Sequence, residues 1–261
     1  MTVVTNSLSY AWRSRRAWWF TATARTRARF ARTTLGSLWL GLSNLLSIAA
    51  LSVVYGTVFR VKDFSHYVVY LGTGLVVWNA IAASIGSAPA LFEYNSGHLK
   101  NTNLNPIFYT LEEWAFQAQT FTQSFLLVLL ALSFFQPTLY LNLFKAGLLP
   151  LLNLALFLYW LPLIVCLLGA RFRDLFQLVP IVLQLVFLLS PILYEKSNLG
   201  HLAWTAEINP LYRVLSPLRN ALLHGDLALG QCLLLLLVNI CGVLFSMWLL
   251  EKDRKNLPFL V

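Results

Sequence analysis

Long apolar runs, divided by short clusters of charge, organise this chain. Asp, Glu, Lys and Arg are absent from Thr33 to Phe59, Phe64 to Phe92, Trp114 to Phe144, Ala146 to Ala170, Leu175 to Tyr194 and Leu227 to Leu250. A helix needs about 20 such residues to cross a hydrocarbon layer of roughly 30 Å. A β-barrel would instead show segments of about ten residues alternating apolar and polar, and that alternation is missing. The pattern predicts an all-α integral membrane protein with six transmembrane helices, at 35–59, 67–92, 115–136, 146–169, 175–194 and 228–250. They form one domain, 33–250, between an amphipathic interface segment, 1–32, and a cytoplasmic tail, 251–261.

Two further elements follow from mixed patterns. In residues 8–32, Trp12, Trp18, Trp19 and Phe20 are interleaved with arginine, a composition suited to a helix lying at the headgroup level. Between the fifth and sixth spans, Asn209 reads as a helix cap with Pro210 in the first turn. The helix that follows places Leu211, Val214, Leu215, Leu218 and Leu222 on one side, with Arg213 and Arg219 expected elsewhere. It is too short and too charged to span, so it is predicted to lie at the outer surface or re-enter as an external gate.

Composition agrees and adds a direction. The 261 residues are 58% hydrophobic and 11% charged, far more apolar surface than a soluble core of this size can hide. The net charge of +9 is read first as an orientation signal rather than a nucleic-acid footprint. With a cytoplasmic N-terminus, the seven Arg before Thr33 join Lys100, Arg171, Arg173, Lys252, Arg254 and Lys255 inside, thirteen in all, against six outside. Both termini are therefore expected in the cytoplasm. An apolar run that begins this late and extends this far does not fit a cleaved signal peptide.

Soluble catalytic machinery is not visible. No Lys follows a Gly, so the chain has no phosphate-binding loop of its own, and any nucleotide drive must come from a partner. His66, His98, His201 and His224 are scattered, and Cys166, Cys232 and Cys241 lie inside apolar runs as packing residues. Glu112, Glu113 and Glu207 lack a second candidate group, which argues against a membrane enzyme acting on polyprenyl-linked sugars. The absence of charge near mid-span argues against an ion-coupled carrier. Tyr55, Phe59, Tyr67, Tyr70 and Trp78 fit either an interfacial belt or the stacking faces of a saccharide path.

The ordered motifs resemble a family of permease subunits, those of ABC exporters for O-antigen, capsule or teichoic acid. RARFARTTLGSLWLG matches a basic run followed by LG-x-LW through Leu35, Gly36, Leu38 and Trp39, and GLVVWNAI follows through Gly74 and Trp78. NSGHLKNTNLNP matches a cytoplasmic segment through Asn95, Leu99, Lys100 and Pro106. ARFRDLF with SPILY matches through Phe172, Arg173, Asp174, Ser190 and Pro191, and INPLYR through Asn209 and Pro210.

The resemblance implies a homodimer working with two copies of an ATPase subunit, which would bind ATP and Mg. No cofactor is implied in this chain, and the substrate would be a lipid-linked polysaccharide crossing the bacterial inner membrane. Tyr94, Asn95, Gly97, His98, Leu99, Lys100 and Asn103 would form the coupling segment. Arg25, Arg29, Arg32, Arg171, Arg173 and Asp174 would sit at the cytoplasmic surface, Arg25, Arg29 and Arg32 gripping lipid, partner or the phosphate of the incoming polymer, and Arg171 and Arg173 holding the topology. Asn209, Pro210, Arg213 and Arg219 would belong to the external gate. A related exporter of a small amphipathic drug or lipid is the alternative.

Overall fold

The computed structural model describes residues 2–101 and 104–260; the side chains of residues 2–6, Ser197 and Leu202 are outside the description. Every regular element among the described residues is helical. The principal helices are α1 (Thr2–Arg13), α2 (Arg15–Phe30), α3 (Leu38–Val58), α4 (Phe64–Ser87), α5 (Ser96–Asn101), α6 (Ile107–Leu132), α7 (Leu148–Arg171), α8 (Leu175–Leu189), α9 (Ala203–Ile208), α10 (Pro210–His224) and α11 (Leu229–Asp253).

At the centre stands α4. Asp63 caps it by accepting a hydrogen bond from the His66 N–H at 3.0 Å. From Tyr67 to Trp78 every residue of α4 is buried, because α3, α6, α7, α8 and α10 all pack around it. The outer helices expose much more of their apolar surface, as a hydrocarbon surround allows. In α3 only Gly41, Ile48, Ser52 and Gly56 are buried, a narrow stripe at helical spacing, while Leu46, Val53, Val54 and Val58 face outward. In α11 the buried stripe is Cys232, Asn239, Ser246, Met247, Leu250 and Asp253.

Polar groups join α11 to α7. Asn239 donates to the backbone and side-chain oxygens of Asn153, both at 3.1 Å, and Asn153 donates to the Cys232 carbonyl at 3.0 Å. Trp160 Nε1 donates to Asn239 Oδ1 at 2.9 Å. Such bonds hold helices together where no hydrophobic force acts between them. At its far end α7 crosses the Ala88–Ala90 turn at Gly169, where a Cβ would lie 2.5 Å from the Pro89 carbonyl oxygen. Only glycine permits that approach.

Five of the six expected spans correspond to long apolar helices, two of them with different bounds, and the sixth does not. Five helical stretches among the described residues are long and apolar enough to cross a membrane: Leu38–Val58, Phe64–Tyr94, Ile107–Leu132, Leu139–Arg171 and Leu229–Asp253. The third begins eight residues before the predicted 115 and so takes Glu112 and Glu113 into the helix. The fourth starts early, at Leu139, and passes through a π-turn at Leu143–Gly147.

The predicted span 175–194 is different in kind. Helix α8 has 15 residues and stops at Leu189; at 1.5 Å per residue that is about 22 Å, short of the hydrocarbon thickness. Ser190 precedes a proline and is extended, with φ −88° and ψ 136°. Residues 191–194 then run as irregular backbone beneath α4.

That break leaves carbonyls to be satisfied, and α4 satisfies them. Tyr67 Oη donates to the Leu193 carbonyl at 2.6 Å; Tyr70 Oη lies 3.0 Å from the Pro191 carbonyl and 3.1 Å from that of Tyr194. Irregular backbone at this depth persists only when buried in protein with its polar groups paired. Beyond it, Asn209 Oδ1 accepts from the Leu211 N–H at 3.0 Å, Pro210 occupies the first turn of α10, and Gly225 closes the helix at φ 73°.

Candidate functional site

The most distinctive feature is a polar groove of about 800 Å³ between α2, α3, α4 and α6. Three stripes build it at helical spacing: Ser43, Asn44 and Ser47 from α3; Asn79, Ala83 and Ser87 from α4; and Glu113, Gln117, Thr120 and Ser124 from α6. Arg25 and Arg29 of α2 line one end. Asn79 Nδ2 donates to Asn44 Oδ1 at 2.6 Å, and Asn44 Nδ2 donates to Ser124 Oγ at 2.7 Å. This chain of two amides and a hydroxyl runs beside the apolar Leu40, Val76, Ala80 and Phe121 of the same wall.

At the groove's basic end, Arg25 Nη1 meets Glu113 Oε2 at 2.6 Å, and its guanidinium lies 4.2 Å from the centre of the Phe116 ring. The other carboxylate oxygen of Glu113 accepts from Ser87 Oγ at 3.0 Å and Gln117 Nε2 at 2.8 Å. Glu113, read from sequence as isolated, is therefore paired and buried. Helix α2 reaches α6 by close packing of Ala22 against Ala115 and Phe116. Trp12 of α1 and Phe20 of α2 remain exposed.

A second cluster gathers at the opposite end of α4. Arg219 was expected off the apolar face of α10, but it is only 2% exposed. Its spacing explains this, since it lies four residues after Leu215 and three before Leu222. Arg219 Nη1 donates to the Pro191 carbonyl at 2.8 Å, Nη2 donates to Tyr212 Oη at 3.0 Å, and the guanidinium stacks 3.9 Å from the centre of the Tyr70 ring. Asn209 Nδ2 donates to Ser190 Oγ at 2.7 Å, so the start of α10 is tied to the break after α8. Arg213 stays exposed, its Nε donating to the Glu207 carbonyl. Lys196 Nζ lies 2.5 Å from Glu207 Oε1 and holds that carboxyl below its usual range.

The aromatic residues divide between these surroundings. Tyr67, Tyr70 and Trp78 are buried within the chain, so they offer no face to a passing ligand in this arrangement. Tyr55 and Phe59 stack on one another with centroids 5.7 Å apart, and Phe59 is 39% exposed.

At the same end as Arg25, the short helix Leu91–Tyr94 that follows α4 ends on Tyr94, 85% exposed, and Asn95 just after it donates through Nδ2 to the Leu91 carbonyl at 2.8 Å. In α5, Leu99 is buried against a cluster that includes Phe92, Ile107 and Leu257, while Gly97, His98 and Lys100 are exposed. Asn103 lies outside the described residues. Arg171 grips Asp253 through Nη2 at 2.6 and 2.7 Å, and Arg173 lies 3.9 Å from Glu93. Asp174 and Arg32 are exposed. Arg25 and Arg29 thus share the groove; Arg171 and Arg173 serve the adjoining helix ends.

Comparison with known proteins gives this geometry its context. Residues 17–223 match the model of the ABC-2 type transporter family. The chain belongs to the ABC-2 type transporter family. The matched region runs from α2 into α10 and so includes the groove, the segment after α4 that carries Tyr94 and the outer cluster. An O-antigen export system permease protein, RfbA of Klebsiella pneumoniae, is 25% identical over 202 residues, covering 77% of this chain and 78% of the relative. As an ABC-2 protein the chain is a membrane-embedded transport subunit, and membership of the family implies association with an ABC ATPase.

Proposed function

We propose that this ABC-2 chain is the permease of an ATP-driven exporter that moves lipid-linked cell-surface polysaccharide across the bacterial inner membrane. The observation that carries this reading is the groove, a row of amides and hydroxyls between helices such as α3, whose outward face is apolar. Glycan hydroxyls exchange hydrogen bonds with such groups, whereas a small amphipathic drug favours an apolar cavity. The O-antigen relative points the same way.

In this reading both termini are cytoplasmic, and two copies of the chain work with two copies of the ATPase, which binds ATP and Mg. The segment from Tyr94 to Asn103 couples to the ATPase, with Leu99 as its anchor in the membrane subunit. Helices α9 and α10, with Asn209, Pro210, Arg213 and Arg219, form the external gate. ATP-driven closure of the partner pushes on α5, and the push reaches α6 and α11 through the Leu99 cluster.

Deleting the gene from its source strain is expected to abolish surface polysaccharide while lipid-linked polymer accumulates inside. Immunoblotting intact and permeabilised cells for the polymer checks this. Normal surface polysaccharide in the deletion strain would overturn the proposal.

A further inference from the structure

The Arg25–Glu113 contact divides two cavities. Arg25, Ser87 and Glu113 line both the 800 Å³ groove and a smaller cavity of about 330 Å³ that reaches Tyr94 and Asn95. Three features make this contact unlike a structural ion pair. It reaches only one oxygen of the carboxylate, whereas Nη2 of Arg171 reaches both oxygens of Asp253. Glu113 would keep two hydrogen bonds, from Ser87 and Gln117, if Arg25 left it. The Arg25 side chain is 46% exposed and rests on Phe116, so it would stay in place without its carboxylate.

One turn further along α2, Arg29 lines the same groove and has no ion-pair partner among the described residues. Two guanidinium groups and one carboxylate line the groove itself, which leaves an excess of positive charge on that side; Glu112, the second carboxylate near Arg25, lines the smaller cavity and not the groove. A phosphate-bearing ligand matches that excess, because guanidinium forks bind phosphate oxygens in pairs.

We propose that Arg25 and Arg29 form a binding site for the phosphate of a lipid, and that Glu113 is its resident competitor, released when the phosphate arrives. The proposal rests on the export reading for the ligand's identity, a polyprenyl diphosphate whose glycan would occupy the amide and hydroxyl row. The phosphate chemistry itself rests on the site alone. Entry of the phosphate frees Glu113 at the wall shared with Tyr94 and Asn95, which reports substrate to the coupling segment. No covalent step is involved.

The two variants must move binding in opposite directions. Glu113→Gln keeps the size of the side chain and an oxygen for Ser87 and Gln117 but removes the competing charge. Arg25→Gln removes the ligand's donor. The full chain in detergent is titrated with undecaprenyl diphosphate, undecaprenol and phosphatidylglycerol, and bound lipid is counted by native mass spectrometry.

The wild-type protein is expected to bind the diphosphate in preference to undecaprenol. Glu113→Gln should bind it about tenfold tighter and Arg25→Gln about tenfold weaker, the scale of one charge-assisted hydrogen bond. A purely structural ion pair would make both variants bind alike, and that result overturns the proposal, as does equal binding of undecaprenol. If phosphatidylglycerol matches the diphosphate, the phosphate site stands and its ligand is bulk lipid. Normal export in the deletion strain would remove the substrate reading without altering these affinities.

Discussion

Tyr70→Leu is expected to destabilise the protein by about 3 kcal/mol, the scale of leaving a buried charge without its partner. Arg219 is fully buried, and among the described residues no carboxylate pairs with it. Its positive charge is balanced by the Pro191 carbonyl, the Tyr212 hydroxyl and the face of Tyr70. Removing the ring takes away the stacking and the Tyr70 hydroxyl together. Tyr70→Phe keeps the ring and should cost only about 1 kcal/mol, the value of a hydrogen bond. Adding Arg219→Leu to Tyr70→Leu should recover part of the loss, because the unbalanced charge goes with it. Thermal unfolding of the four proteins in detergent, followed by tryptophan fluorescence, tests the set. Equal losses for Tyr70→Leu and Tyr70→Phe would show that the ring does not hold the cation.

The second large effect is on activity with the fold intact. Tyr94→Ala combined with Lys100→Glu should reduce ATP-driven export at least about tenfold and weaken co-purification of the ATPase, since truncating one aromatic anchor at an interface costs about 2 kcal/mol or more. Tyr94 is 85% exposed, and Lys100 also lies on the outer face of α5, so neither change removes packing inside the chain. Leu99→Asp is the contrast: it puts a charge into the cluster around Phe92 and Leu257 and should lower thermal stability as well. Normal export by the Tyr94→Ala, Lys100→Glu protein would move the coupling surface elsewhere.

What could be read from the sequence depended on the kind of signal. Helices α3, α4 and α11 are legible because charge-free runs report them directly. The end of α8 was also written in the chain, in Ser190-Pro191, but a search for missing charge runs straight through a proline that stops a helix. The groove was hidden for a related reason. Glu113, Gln117, Thr120 and Ser124 repeat along one face of α6, yet three of the four carry no charge, and a span defined by charge treats them as apolar. Arg219 was misassigned through its period, since Leu215 and Leu222 place it on the buried face. The lodging of its cation could not be read at all, because Tyr70 and Pro191 come from distant segments. The same is true of Glu113, whose partner Arg25 is brought to it by α2 packing on α6.

The groove is where structure and proposed function meet, and it can be probed in cells. A photoreactive amino acid at Ser47 or Ala83, both exposed on its wall, should crosslink to the polysaccharide during export and give a high-mass ladder on immunoblots with antibody to the polymer. The same residue at Leu237, 65% exposed on α11 and away from the groove, should give none. No adduct at Ser47 and Ala83, or an equal ladder at Leu237, would contradict the assignment of this groove as the path of the polymer.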